Sequence, residues 1–336
     1  MYVRRLISFG NNSFVVSLPK QWINKNKLKK GDLLMIDEHS DGLLLNLNNN
    51  EAQKEEKTIT IIIDNKDLDI IKTEIVSAYL NNYNVIEIIS KDLKEKAPEI
   101  KKILMSLAGL EILEQTSKKI ISKYLIDSNE LSIDKLIRRM DNITRAMIQD
   151  SIESLNGVDN SSNLANRDEE VNRLHFLVHR IIRGALENVR IASSFNTNPL
   201  KLLRDHTTAM QIERIADSTK RICRYLNDTQ IKGKWLGEIK KLFASIKWAY
   251  LDVMKAYYTN DKNLALKIET ENKKLLVECN NFFNLHNHRD LQYKDGARKG
   301  ICKFRYACGA TTRIIDNMKA IVNSTRYIAR TVLHIS

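Results

Sequence analysis

The feature that most constrains the fold of this chain is a long stretch almost without helix breakers. From residue 132 to the end, Pro199 is the only proline, and apolar residues recur at spacings of three and four. That spacing lines one face of a helix with apolar side chains, whereas a β-sandwich or propeller needs frequent proline and glycine turns. The whole chain of 336 residues has only 3 Pro and 11 Gly. The sequence therefore predicts a mainly α protein.

Six helices are predicted in this stretch, in two sets of three. The first set spans about 132–156, 165–192 and 200–227, and the second about 235–259, 262–284 and 293–333, with an interruption of the last helix near Gly300 or Gly309 left open. The third helices share a motif, Arg-Ile-Ala-Asp at 214–217 and Arg-Ile-Ile-Asp at 313–316. A motif recurring after about 100 residues, on the same helix of each set, predicts a duplicated three-helix unit with repeats over about 132–228 and 235–333.

Residues 1–48 form a different kind of segment, a small β domain. Strands are predicted at 2–7, 14–18, 33–37 and 43–47, with one or two helical turns over 20–27. Four short strands in 48 residues cannot bury a core alone, and this segment has no cysteine or metal-ligand cluster to compensate. The sequence therefore predicts that two copies of the chain pair here as a homodimer.

A second small domain is predicted at 57–128, after a polar linker at 48–56. Strands are predicted at 57–63 and 85–89 and near 111–115, and helices over about 68–79 and 94–107. Strands that alternate with single helices indicate a small α/β layer.

The basic residues of the chain are concentrated at its two ends. Lys and Arg total 54 against 41 Asp and Glu, a net charge of +13, and residues 230–336 carry 20 basic and 9 acidic residues. Residues 1–31 hold seven basic residues and no acidic one. Basic regions of this kind are typical of surfaces that bind anions, such as nucleic acid or an acidic partner. The alternative is that they only keep the surface soluble. The seven N-terminal cations are Arg4, Arg5, Lys20, Lys25, Lys27, Lys29 and Lys30.

Several classes of protein are disfavoured by what the sequence lacks. The four cysteines include no CxxC pair, which argues against a zinc ribbon or a disulfide framework and fits a reducing cytoplasm. No apolar window approaches the ~18–20 residues of a membrane-spanning helix, and the N-terminus has no signal-like apolar region. Because no nucleophile–base pair, Walker loop or dinucleotide fingerprint is found, we expect no enzyme activity.

Two neighbouring helices of the first set carry four candidate metal ligands. Each pair is spaced i, i+4, and carboxylate pairs from adjacent bundle helices are a usual way to hold a hard metal ion. The alternative is a solvated face, or ion pairs with Arg214 or Arg221. The metal-binding hypothesis makes a divalent or iron-type ion a candidate cofactor of the first repeat. The four candidates are Asp168, Asn172, Glu213 and Asp217.

Other polar residues near these positions are weaker candidates. His175 and His179 alternate with apolar residues, which favours histidines at the edge of the core over metal ligands. When the sequences of the two repeats are aligned, four residues of the second set fall at the candidate positions of the first. One of them is a lysine, which adds a positive charge where a metal ligand would be needed. They are Glu269, Lys273, Thr312 and Asp316.

Two parts of the chain resemble known families. Residues 10–22 (GNNSFVVSLPKQW), followed by LKKGD at 28–32, resemble a SpoVT/AbrB-type swapped-hairpin DNA-binding domain. Residues 132–336 resemble a PhoU domain, with DEEVNRL at 168–174 and ERIAD at 213–217 where that family carries its acidic metal motifs. The order of the parts resembles that of archaeal PhoU-family regulators of phosphate uptake. The sequence departs from the family at Asn172, Lys273 and Thr312, where acids are usual.

The resemblance implies a cytoplasmic, DNA-binding regulator of phosphate uptake with a helical sensor domain. A swapped-hairpin dimer would gather the N-terminal cations of two chains around one two-fold axis, where they could neutralise DNA phosphates. One alternative is a PhoU-type adaptor that docks on a phosphate transporter ATPase subunit or a signalling protein without binding DNA. Another is an antitoxin, which shares the N-terminal fold but would carry a short acidic tail instead of the helical domain.

Overall fold

The fold is taken from a computed structural model, which describes residues 3–10, 13–39, 42–47, 56–127, 131–187, 197–227, 234–287 and 301–335. The chain divides into two compact units, residues 1–56 and 57–336. Several predicted features lie outside the described residues. These are the start of the first strand, most of the linker, the end of the 165–192 helix and the beginning of the 293–333 helix.

The first unit contains two separate antiparallel hairpins with a short helix between them. In the first hairpin Ile7 lies opposite Val15, and in the second Leu34 lies opposite Leu47. The first strand lies later in the chain than predicted, and the second ends at Val15, three residues before its predicted end. The elements are β1 (Ile7–Phe9), β2 (Ser13–Val15), α1 (Lys20–Lys25), β3 (Leu34–His39) and β4 (Gly42–Leu47).

The second unit begins with a four-stranded sheet and two helices. The strand order is β5-β6-β8-β7, in which β5 and β6 are parallel and the other pairs are antiparallel. The strand β8 was not predicted, because a buried serine, Ser122, interrupts its apolar face. The elements are β5 (Thr58–Ile62), α2 (Leu68–Leu80), β6 (Val85–Ile89), α3 (Ala97–Met105), β7 (Leu110–Gln115) and β8 (Lys119–Tyr124).

The described residues of the second unit after 132 are almost all helical, and their helices follow the predicted ones closely. The third helices of the two sets, α6 and α9, pack against each other, and α6 also packs on α4 and α5. The α/β layer is attached to this domain through contacts of α2 with α5. The helices are α4 (Ile133–Ser154), α5 (Ser161–Glu187), α6 (Pro199–Asn227), α7 (Lys234–Thr259), α8 (Lys262–Asn287) and α9 (Ile301–His334). In the described part of the chain, no helix combines the length and apolar character needed to cross a membrane.

Candidate functional site

The contact between α5 and α6 brings together polar residues predicted as metal ligands in the first set of helices. Val171 and Leu174 bury one face of α5, and Asp168, three residues before Val171, is drawn into the same contact with only 4% of its surface exposed. On α6, Ile212 and Ala216 are buried. The acidic residues that follow them in sequence, Glu213 and Asp217, therefore lie at the edge of that contact. The apolar periodicity of the two helices thus sets the position of the polar cluster.

The centre of this cluster is Lys220, a residue that the ligand spacing did not predict. Lys220 Nζ lies 2.5 Å from Asp168 Oδ2 and 3.2 Å from Asp217 Oδ1, so one ammonium bridges α5 and α6. Asn172 Nδ2 donates to the same Asp168 oxygen at 3.3 Å, and Arg221 pairs with Asp217 at 2.6 Å. The structure therefore brings Asp168, Asn172 and Asp217 together around a basic side chain.

Burial governs the electrostatics of this cluster. It raises the pKa of the Asp168 carboxyl, and the hydrogen bond from Lys220 opposes that rise. Burial acts to lower the pKa of Lys220, but its hydrogen bonds to Asp168 and Asp217 outweigh burial, and the pKa is raised. The second carboxylate oxygen of Asp168, Oδ1, is buried without a hydrogen-bond partner in the described structure.

Glu213, the fourth predicted ligand, is partly buried on α6. Burial raises the pKa of its carboxyl, and the nearby negative charges of Asp217 and Asp168 raise it further. Its carboxylate therefore belongs to the same electrostatic cluster, although Lys220 pairs with the two aspartates instead.

These residues do not fit a metal ion in the geometry that the structure gives them. Within the described ranges, no three His, Cys, Asp or Glu side chains are placed so that they could hold one. The ammonium of Lys220 contacts the carboxylates of Asp168 and Asp217, whose oxygens a metal ion would need as ligands. The metal site stays a prediction, and no chemical step is assigned to it.

In the second set of helices, arginines neutralise Glu269, the acid that the sequence alignment of the two sets places at the position of Asp168. Glu269 on α8 pairs with Arg326 at 2.7 Å and with Arg330 at 2.9 Å, both on α9. Burial acts to raise the pKa of Glu269, but the hydrogen bonds from these arginines hold the pKa below its ordinary value. Lys273 is exposed, and Thr312 is partly buried.

His179 of α5 and His206 of α6 form a second polar contact between these helices, and His175 lies near enough to feel their charge. A ring nitrogen of His206, Nε2, lies 3.0 Å from His179 Nδ1, and both side chains are partly buried. Burial lowers the pKa of His175 to about 4, and the charges of His179 and His206 lower it in addition. At neutral pH His175 is therefore uncharged.

All seven predicted DNA-binding cations are exposed in the first unit. Lys20 and Lys25 are the first and last residues of α1. None of the described side chains in residues 3–47 is buried, and Phe14 and Leu33 are 66% and 71% exposed. A basic surface and an uncovered apolar surface therefore belong to the same small unit.

Comparison with known proteins identifies one family in the helical domain. Residues 137–226 match the PhoU domain, a span that covers α5, most of α4 and nearly all of α6. The crystal structure of PhoU from Pseudomonas aeruginosa is similar with a TM-score of 0.48 and 14% identity, covering 60% of this chain and 94% of that chain. A likeness of this size carries no functional argument. No curated protein matches the chain in sequence.

Proposed function

We propose that this chain is a cytoplasmic regulator of phosphate uptake. The observation that carries this proposal is the PhoU domain at residues 137–226, which includes the polar cluster between α5 and α6. In this proposal the helical domain responds to the phosphate status of the cell, and the chain regulates by binding rather than by catalysis.

The first unit serves in this proposal to pair two chains. Its strands bury none of their described side chains, and five apolar residues that we assign to a shared core include three that are more than half exposed. Burying apolar surface yields about 25 cal/mol per Å², so a second copy is the simplest source of a core for so small a unit. The five residues are Phe14, Val16, Leu18, Leu33 and Leu45.

The paired unit also binds DNA in this proposal. Two copies bring up to fourteen exposed cations to one surface, from a segment with no acidic residue before Asp32. Lys and Arg that neutralise backbone phosphates release counterions, which provides affinity that does not depend on sequence and falls with salt. Contacts to phosphate position the protein, and base contacts then select the site.

A second candidate function is that of an adaptor that docks on a phosphate transporter ATPase subunit. The observation that favours it is Trp248 on α7, whose side chain is 64% exposed within the basic C-terminal third of the chain. Exposed tryptophans are enriched among the residues that dominate protein–protein binding. In this version the first unit only pairs the chains.

Protection mapping of genomic DNA by the purified full-length protein separates the two functions. The DNA-binding proposal expects discrete protected sites near genes of phosphate uptake, with occupancy that changes when phosphate is added. Binding to the transporter ATPase subunit with no protected DNA site at any phosphate concentration would instead support the adaptor.

A further inference from the structure

The ammonium of Lys220 occupies the space between two carboxylates that a bound metal ion would need. It lies 2.5 Å from Asp168 Oδ2 and 3.2 Å from Asp217 Oδ1, and these oxygens come from different helices. A divalent ion bound to the same oxygens would sit about 2–2.5 Å from each of them. An ion could enter only if the lysine moved out, because two cations at that spacing repel each other strongly.

We propose that Lys220 is a built-in counter-cation that replaces a metal ion in this cluster. The Lys220 side chain is 28% exposed, and the Asp168 carboxylate that it contacts is 6% exposed. A carboxylate so far removed from water needs a nearby positive charge, which a metal ion or an ammonium can provide. The lysine therefore lets α5 and α6 keep their contact without a supply of metal.

The second set of helices repeats the Asp-x-x-Lys spacing, but there arginines rather than the lysine pair with the acid of the neighbouring helix. Asp316 and Lys319 on α9 repeat the spacing of Asp217 and Lys220 on α6, with Lys319 Nζ 3.8 Å from Asp316 Oδ1. The acid on the preceding helix, Glu269, is neutralised by arginines. Each repeat thus uses basic side chains of its third helix to balance acids on its second.

This inference concerns the charge balance of the helical domain and is independent of DNA binding. The test compares the full-length wild type with Lys220→Gln, with Lys255→Gln on the exposed face of α7 as the matched control. Each protein is dialysed against MnCl2 or EDTA. Its metal content is then measured by elemental analysis, and its thermal midpoint by circular dichroism.

We expect the wild type and Lys255→Gln to hold no stoichiometric manganese and to melt at the same temperature in MnCl2 and in EDTA. In EDTA, Lys220→Gln should melt about 5 °C lower than the wild type, because the buried Asp168 loses its partner. Manganese should then raise the thermal midpoint of Lys220→Gln by binding the carboxylates in place of the lost ammonium. The double variant Asp168→Asn/Lys220→Gln, which removes both charges, should fold and should not respond to manganese.

Any of four results would overturn the proposal. The first is that the wild type retains one equivalent of manganese and the Asp168→Asn variant does not. The second is a Lys220→Gln variant as stable in EDTA as the wild type. The third is a double variant that responds to manganese as Lys220→Gln does. The fourth is a Lys220→Gln variant whose thermal midpoint manganese does not raise.

Discussion

The guanidinium of Arg180 lies 4.0 Å from the ring centroid of Tyr124. This contact joins α5 of the helical domain to β8 of the α/β layer. Arg180 also donates to the carbonyl oxygens of Tyr79 and, at 3.1 Å, of Tyr83. Only 4% of the residue is exposed, and burial lowers the pKa of its guanidinium without removing its charge. The α/β layer is therefore attached to the helical domain through a buried cation.

Replacing this cation should destabilise the protein. Arg180→Met removes the hydrogen bonds to both carbonyls and the ring contacts, and we expect a loss of about 3 kcal/mol in the free energy of unfolding. Urea denaturation followed by circular dichroism measures this loss. The control is Arg183→Met on the same helix, whose exposed pair with Glu187 should be worth less than about 1 kcal/mol. Equal losses in the two variants would show that Arg180 does not join the two parts.

The stability of the helical domain should depend on the charge of His175. Its pKa is lowered to about 4 by burial, against about 6.5 in the unfolded chain. Between these values the unfolded state binds more protons, so stability should fall as the pH drops from 6.5 to 4, by at most about 3 kcal/mol. Above pH 6.5 this contribution is fully present.

The measurement compares denaturant midpoints at several pH values for the wild type and His175→Gln. The variant should lose part of the decline between pH 6.5 and 4, while His334→Gln, at an exposed position near the end of α9, should decline as the wild type does. Parallel curves for the wild type and His175→Gln would show that this histidine is not held neutral by the fold.

Dimerisation through the first unit should depend on its apolar surface. Phe14→Asp places a charge in the proposed shared core, and sedimentation of the full-length protein should shift from dimer to monomer. Trp248→Asp is the matched control, because Trp248 is 64% exposed and Phe14 66%. A Phe14→Asp protein that remains a dimer, or a Trp248→Asp protein that dissociates, would place the interface elsewhere.

The helical part of the fold could be predicted well from the sequence. An apolar spacing of three and four persists over each long helix, and Pro199 marks the start of α6, where its missing N–H costs nothing. The strand β8 was missed because Ser122 is buried and polar, and its hydroxyl donates to Ile86 O across the sheet at 3.2 Å. Only the paired strand shows why a serine is accepted there.

The candidate site was predicted less completely than the fold. The i, i+4 spacing of Asp168 with Asn172, and of Glu213 with Asp217, predicted that each pair shares a helix face. The structure places Asp168 and Asp217 at the α5–α6 contact. The role of Lys220 was missed, although it follows Asp217 by three residues, because sequence spacing does not show which residues of a neighbouring helix lie opposite. A recurring Asp-x-x-Lys at 217–220 and 316–319 was the available signal.

DNA binding by the first unit is the central claim, and the salt dependence of binding tests it most directly. The affinity of full-length protein for a 30-bp duplex is measured across salt concentrations, for the wild type and for Arg4→Ala/Arg5→Ala/Lys20→Ala. The control, Lys255→Ala/Lys267→Ala/Lys274→Ala, removes three exposed lysines of the C-terminal region.

The N-terminal variant should bind more weakly, and the slope of log K against log salt should become shallower by up to about 5, since six cations are lost per dimer. The control should keep the wild-type slope. If the N-terminal variant binds with unchanged affinity and slope, the first unit does not bind DNA, and the adaptor function takes its place.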